Sequence, residues 1–399
     1  MSNLTGRDNT HIYYNISLTN NDTSDNILSP PVVSFTETRN QPFLNCPEDY
    51  HMSVVRFSLE TPTLPVIQCQ PILGANDADL LVYRVYMQRT KGTIPNTTSG
   101  SAYEDLLMKS TNSYIPTPPL PVTTDLYTSP YYSLYSHQAF VEMVNKALAD
   151  VWSQLYTVST GIPTNAIAPY LYWDVGSNTA ILNVSQSLVS ETDYISIYFN
   201  APLFTLFSSF PATFETLQLS IPLVSGQSSV PLYKITIITG PNANLSASTV
   251  TVGAAPVTVY TYQILQEYTT APLWSPIDSI VFTTSLLPSV PELVASPIIF
   301  GNNGAPVLTG QNANITTTLT DFIVPMTTGN EYKPSINYTP TGEYRLTSLF
   351  GKNPIHGIQV NVFYKDRFGN LIPVTLATGC SGSLKILFRR KDFSNLIIE

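Results

Sequence analysis

A mainly β fold is what this sequence predicts, and three observations carry the prediction. Charged residues make up only 11% of the 399-residue chain, against about a quarter in a typical soluble domain. Thr, Ser, Asn, Tyr and Pro fill the gap, and these suit strands and turns rather than long surface helices, which draw on Glu, Lys and Arg. Short apolar runs also recur along the whole chain between Pro, Gly and Asn punctuation.

Taken in order, strands are expected at His11–Leu18, Val32–Thr38, Met52–Leu59, Pro65–Pro71 and Leu80–Gln88, followed by a polar, Pro-rich loop from Gly92 to Ser129. One long helix is then predicted over His137–Tyr156. Phe140, Val144, Ala147, Leu148, Val151 and Leu155 form a single apolar stripe at helical spacing, and Ser136 is placed to cap it. A hairpin follows, with Tyr170–Val175 and Thr179–Val184 joined through Gly176-Ser177-Asn178, and then a strand at Asp193–Phe199. Asn200 and Pro202 announce a short helix whose Leu203, Leu206, Phe207 and Phe210 share a face, ending at Pro211.

The second half reads as strands again: Thr216–Leu223, Pro231–Ile238, Thr249–Val252, Val257–Gln263, Ser279–Ser285, Pro297–Phe300, Thr316–Val324, Tyr344–Phe350, Gly357–Tyr364, Leu371–Ala377 and Ser383–Phe388. Two sets of about eight strands predict two antiparallel eight-stranded jelly-roll sandwiches, residues 1–212 and 213–399, divided near Pro211 to Glu215. One sandwich with long loops is the alternative.

So little charge leaves few like charges to hold neighbouring copies apart, which favours self-association. The net charge of −9 argues against a whole-protein grip on nucleic acid. Cys46, Cys69 and Cys380 are too few and scattered for a disulfide framework or zinc site; buried free thiols are expected, with a Cys46–Cys69 pair the alternative. Neither a signal peptide nor a membrane-spanning run is expected. The sequons at Asn15, Asn96, Asn183 and Asn244 are therefore expected to stay unmodified.

Catalytic chemistry finds no foothold. His11, His51, His137 and His356 stand in unlike contexts outside any metal-ligand spacing and are expected at surfaces or helix starts. Thr378-Gly379-Cys380-Ser381-Gly382 looks like a nucleophile turn but precedes a strand-like run rather than a helix. Asp174 beside Trp173 and Asp366 near Tyr364 put acids next to aromatics, as sugar sites do, but Tyr is too abundant here for that to inform. No enzyme, cofactor or metal is expected. The basic residues are uneven: Lys385, Arg389, Arg390 and Lys391 cluster at the C-terminal strand, with Lys352, Lys365 and Arg367 upstream. They read either as a solvated edge guarding a terminal strand or as a contact with a neighbouring subunit or packaged nucleic acid.

Three stretches carry a resemblance. They are Tyr135-Ser136-His137-Gln138-Ala139-Phe140-Val141-Glu142-Met143-Val144-Asn145-Lys146-Ala147-Leu148; Ile197-Tyr198-Phe199-Asn200-Ala201-Pro202-Leu203 with Phe207 and Phe210; and a C-terminal series. That series comprises Ile280 to Pro288, Leu319 to Phe322, Tyr344-Arg345-Leu346, Phe363 to Asn370 and Leu384 to Phe388. Together they resemble jelly-roll capsid proteins of small eukaryotic DNA viruses and virus-like elements: polinton-like viruses, virophages and the adenovirus lineage. The resemblance implies a structural subunit of an icosahedral shell, made in the host cytoplasm or nucleus and carried in the virion, with no catalytic residues. Its partners would be copies of itself and other capsid proteins. A double jelly roll of this kind usually trimerises to imitate a hexagon, so a trimer is expected. One departure is the absence of a basic N-terminal arm, which weakens a direct role in genome contact. The competing expectation is a receptor- or glycan-binding β-sandwich module.

Overall fold

β-Structure dominates and helices are few in the computed structural model. It describes residues 11–21, 31–60, 64–69, 83–91, 97–106, 132–159, 162–163, 165–190, 193–218, 229–252, 255–291, 298–300, 306–308, 317–323, 335–339, 345–366, 369 and 371–391. The chain passes through β1 (His11–Thr19), β2 (Ser34–Thr38), β3 (Tyr50–Glu60), β4 (Ile67–Cys69), β5 (Arg84–Lys91), β6 (Thr97–Asp105) and β7 (Tyr132–Leu134) to helix α1 (His137–Val158). Next come β8 (Tyr170–Asp174), β9 (Thr179–Ser185), β10 (Asp193–Phe199), α2 (Ala201–Leu206), β11 (Ala212–Gln218), β12 (Ser229–Ile235), β13 (Asn244–Val252), β14 (Ala255–Leu265) and the single turn α3 (Ala271–Trp274). It continues with β15 (Ile277–Thr283), β16 (Ile298–Phe300), β17 (Pro306–Leu308), β18 (Thr318–Phe322), β19 (Ser335–Tyr338), β20 (Thr347–Ser348), β21 (Gly357–Asp366), β22 (Leu371–Pro373) and β23 (Ser381–Arg390).

Both helices stand where their signals put them. Ser136 accepts a hydrogen bond from the Ala139 amide to start α1, and Asn200 accepts from the Leu203 amide to start α2. The hairpin of β8 and β9 turns through Asn178, whose positive φ of 52° is tolerated by Asn better than by most residues. The loop expected from Gly92 to Ser129 is corrected in part. Residues 97–105 form β6 and pair with β5, because the polar side chains of that stretch do not stop its backbone from completing a ladder.

The division into halves is also corrected. One compact unit takes residues 1–64, 276–325 and 332–399; the other takes 65–275 with 326–331. The second is inserted in the chain between β3 and β15. The expected boundary at 212/213 falls inside the inserted unit, at the start of β11. There β11 pairs with β12, and β12 pairs back to β10, so one sheet straddles the proposed cut.

In the outer unit eight main strands build two sheets, in the orders β1-β23-β3-β19 and β18-β15-β21-β2, with β20 and β22 attached to β3 and β21. Ranked by position within the unit, those orders are 1-8-3-6 and 5-4-7-2, the strand order of a jelly roll. Alternation along β21 and β23 puts Ile358, Val360, Val362, Leu384, Ile386 and Phe388 into one core shared by both sheets. Phe57 sits at its centre, with ring centroids 4.9 Å from Phe282, 6.1 Å from Phe322 and 6.3 Å from Phe35.

The inserted unit also has two main sheets, β11-β12-β10-β5-β6 and β13-β14-β9-β8, plus the short pair β4-β7. Four of its strand pairs are sequence-adjacent hairpins, β5–β6, β8–β9, β11–β12 and β13–β14, an order unlike the outer unit's jelly roll, so the expectation of a second jelly roll is corrected. Helix α1 packs against β5, β6 and β8, and its whole expected stripe is buried. Trp274 anchors that core. Its indole N–H donates to the Leu206 carbonyl at 2.5 Å, and its rings lie 5.1 Å from Phe207, 5.2 Å from Trp173 and 4.9 Å from His137. His137 is therefore a helix-start residue, as expected, but a buried one. Burial pushes its imidazole pKa down to about 3.

Candidate assembly surface

The basic cluster of the sequence falls on β23, but not at an edge. β23 is hydrogen-bonded to β1 on one side and to β3 on the other, so the picture of a guarded terminal edge strand is corrected. Arg389 and Arg390 do not extend beyond the paired residues: Arg389 stands opposite both His11 and His51, and Arg390 opposite Tyr50. A central strand cannot template edge-to-edge aggregation, so protection against it does not explain these cations.

Strand alternation separates the four candidates. Lys385 and Arg389 share the face turned away from Leu384, Ile386 and Phe388 in the core, whereas Arg390 falls on the opposite face at the end of the sheet. Lys391 follows β23 and donates to the Leu349 carbonyl at 2.9 Å. The Lys385 ammonium sits 4.9 Å from the centroid of the Tyr13 ring on β1, a cation–π contact at an exposed tyrosine.

Residues from β3 complete this face, and sequence reading alone misses them. His51 and Arg56 differ by five positions, so strict alternation would put them on opposite faces. The register of β3 against β23 shifts between Lys385 and Ile386, which pair with Arg56 and Val54; Val55 is the extra residue of a bulge. Burial follows the switch: Met52 and Val54 are buried before it, Phe57 and Leu59 after it. Arg56 thereby lands directly opposite Lys385, and His51 directly opposite Arg389. Of these, Arg56 and Lys385 are like charges directly opposite, which oppose the fold by roughly 0.2–1 kcal/mol. Among the described residues no carboxylate forms an ion pair with Arg56, Lys385 or Arg389. Arg56 instead donates to the Asn15 side chain at 3.3 Å, and the Arg389 Nε is buried without a hydrogen-bond partner.

Catalysis is a poor fit for this geometry. His51 Nδ1 lies 3.1 Å from the Ser348 hydroxyl, but burial, then Lys391 and Arg389, push the imidazole pKa down. A general base must accept a proton as the nucleophile attacks, and neighbouring cations oppose that step. Asp174 accepts from the Gly176 and Ser177 amides and the Ser177 hydroxyl within its own turn, while Trp173 is buried, so the aromatic–acid neighbours serve local structure. Among the described residues there is no group of three potential metal ligands, and no helix is long and apolar enough to cross a membrane. The thiol expectation is corrected at Cys46, which is exposed in an irregular stretch just before a single 3-10 turn; Cys380 is half-buried, and the Cys69 side chain lies outside the described residues.

A jelly-roll sandwich whose distinctive polar groups lie on an open sheet face, rather than in a cleft, has the form of a structural shell subunit. The family match agrees: the chain belongs to the Sputnik minor capsid protein V18/19 family, whose model matches residues 12–390. It is a structural capsid protein. Structural protein V19 of the Sputnik virophage is 28% identical over 137 residues, covering 34% of this chain and 59% of V19. Uncharacterized protein V18 of the same virophage is 28% identical over 151 residues, covering 37% of this chain and 84% of V18. The chain therefore aligns with less than two thirds of V19. Among solved structures, a chain of the Sputnik virophage cryo-EM structure superposes with a TM-score of 0.70 at 26% identity, covering 96% of this chain and 99% of its own. The mavirus penton protein superposes with a TM-score of 0.58 at 16% identity, covering 95% and 99%. That last likeness concerns the fold alone.

Proposed function

We propose that this chain is a non-enzymatic vertex subunit of a virion, assembling as a ring of five copies with other capsid proteins into an icosahedral shell. The observation that carries it is the single jelly roll, with the strand orders β1-β23-β3-β19 and β18-β15-β21-β2. The expected trimer rested on two jelly rolls per chain, each standing for one side of a hexagon's pseudo-symmetry. A chain with one jelly roll lacks that doubling and suits a five-fold position. The fold likeness to a protein named as a penton supports the same choice. The role of the inserted unit in this picture is to add mass in the connection between the third and fourth jelly-roll strands without interrupting either sheet. Genome contact is not part of the proposal, since the chain carries a net −9.

Native mass spectrometry of the purified chain tests this. Five copies of the 43.9 kDa chain give a species of about 220 kDa. A trimer or a monomer as the largest species at micromolar concentration would overturn the five-fold proposal.

A further inference from the structure

The outward face of the β1-β23-β3 sheet holds Arg56, Lys385 and Arg389 with no ion pair among the described residues; the carboxylate on that face, Glu60, stands at the far end of β3 and accepts from the Ser381 amide and hydroxyl. Arg56 and Lys385 are cross-strand neighbours, and Arg389 lies two rows further along β23, about 13 Å away at the strand's usual rise. Each cation near β1 leans on a neutral group: Lys385 on the Tyr13 ring, Arg56 on the Asn15 amide oxygen. Tyr13, Asn15 and Arg56 are exposed, so the face is open to a partner at the Arg56–Lys385 row, whereas Leu387 and Ser53, between that row and Arg389, are buried. Sequences usually place opposite charges across a ladder; rows of like charge are a local violation of the kind that marks a binding function.

We infer that this face receives a carboxylate-bearing surface of a second copy of the chain, with Arg56 and Lys385 as one anion-receiving row and Arg389 as another. The inference rests on the five-fold reading above, because a ring joins two different patches of neighbouring copies rather than one patch to itself. A cationic face cannot dock on its own image; it needs an anionic one. This chain supplies it: 27 Asp and Glu stand against 18 Lys and Arg. Among described residues the surplus lies in the inserted unit, with eight carboxylates and five cations, whereas the outer unit has nine cations and seven carboxylates. Glu142 and Glu267 of the inserted unit are exposed, and among the described residues neither forms an ion pair. Nucleic acid is the weaker occupant, since a polyanion approaching a chain of net −9 is repelled before any short-range contact forms.

Arg56→Glu separates the roles. Opposite Lys385 it replaces a like-charge row with a cross-strand ion pair, so the monomer should melt at the same temperature or higher while the ring weakens. The ring's dissociation constant is expected to rise about tenfold at low salt and to converge with the parent's near 0.5 M salt, where charges are screened beyond a few ångströms. The double variant Lys385→Gln/Arg389→Gln should weaken the ring in the same salt-dependent way without creating the new pair. Sedimentation and native mass spectrometry of the full chain across a salt series give both readouts. A parent that never forms a ring overturns the five-fold reading and this inference with it. A parent ring whose affinity neither variant changes overturns the inference alone. So does a fluorescently labelled single-stranded oligonucleotide that binds the parent at physiological salt and not the variants, with rings unaltered, since the face would then serve nucleic acid.

Discussion

The two units of this chain solve the same problem, burying one side of each of two sheets, with opposite use of sequence distance. In the inserted unit half of the strand pairs join sequence neighbours, β5 with β6, β8 with β9, β11 with β12 and β13 with β14, beside a 22-residue helix whose apolar stripe is complete within itself. In the outer unit β1 pairs with β23 some 370 positions away, and Phe35, Phe57, Phe282 and Phe322 meet from strands scattered over the chain. Local pairing gives a core that its own segment can specify. Distant pairing gives a core that is specified only by the set of strands taken together.

The largest effects should come from breaking the two cores separately. Phe57→Ala in the outer unit is expected to cost about 3–5 kcal/mol, and Leu148→Ala in the inserted unit about 2–5 kcal/mol. Both side chains are fully buried. Hydrogen exchange read by mass spectrometry should show Phe57→Ala lowering protection in β1, β3, β15 and β23, and Leu148→Ala lowering it in α1, β5 and β8. If either variant loosens both sets equally, the units are not separate cooperative cores.

An intermediate effect distinguishes the units by pH. His137 is buried beside Trp173 and Trp274 at the positive end of α1, and burial holds it neutral, with a pKa of about 3. Its unfolded pKa is near 6.5. The folded value is depressed, so the unfolded chain takes up the proton first. The contribution of the neutral imidazole is fully present above 6.5 and is lost as pH falls from 6.5 toward 3. At pH 5 the loss should be about 2 kcal/mol. Urea melts at pH 7 and pH 5 should show that slope for the inserted unit, and His137→Phe should flatten it. An unchanged slope in the variant would assign the pH response elsewhere.

The smallest effect concerns a turn. Asn178→Gly preserves the positive φ that the hairpin needs and should move stability by only a few tenths of a kcal/mol, whereas Asn178→Ala should cost about 1 kcal/mol. Equal costs for the two, measured by thermal melting, would show that the Asn178 side chain rather than its backbone angle holds the β8–β9 connection.

This contrast also explains what could be read from the residues alone. Helix α1, its Ser136 cap, the Asn200 cap of α2 and the Asn178 hairpin are local signals, and the structure has all of them where the pattern puts them. Many strands were legible for the same reason, with alternation visible in β21 and β23, but β7, β17 and β19 were not among those expected. Strand partnership was not legible. Nothing in Tyr13 or Asn15 announces Lys385 or Arg56, and a count of eight strands per half assigns β1–β3 to the wrong companions. Strand β6 was hidden because Thr97–Asp105 has no alternating apolar face. Half of the candidate surface was therefore visible, as Lys385 and Arg389. The other half depended on a one-residue bulge at Val55 that reverses the facing of everything after it on β3.

The position of β23 between β1 and β3 has a consequence for the order in which the protein is made. Of the jelly-roll strands, β23 is the last to leave the ribosome, and until it arrives β1 has no ladder partner among the described strands. Residues 65–275 are complete about a hundred residues earlier and can settle into their own core while the outer unit waits. A message cut short between residues 275 and 381 thus yields a chain with those residues in place and an unclosed sandwich. The middle strand of the sheet acts as a completion check: only translation through β23 produces a closed jelly roll to offer the shell.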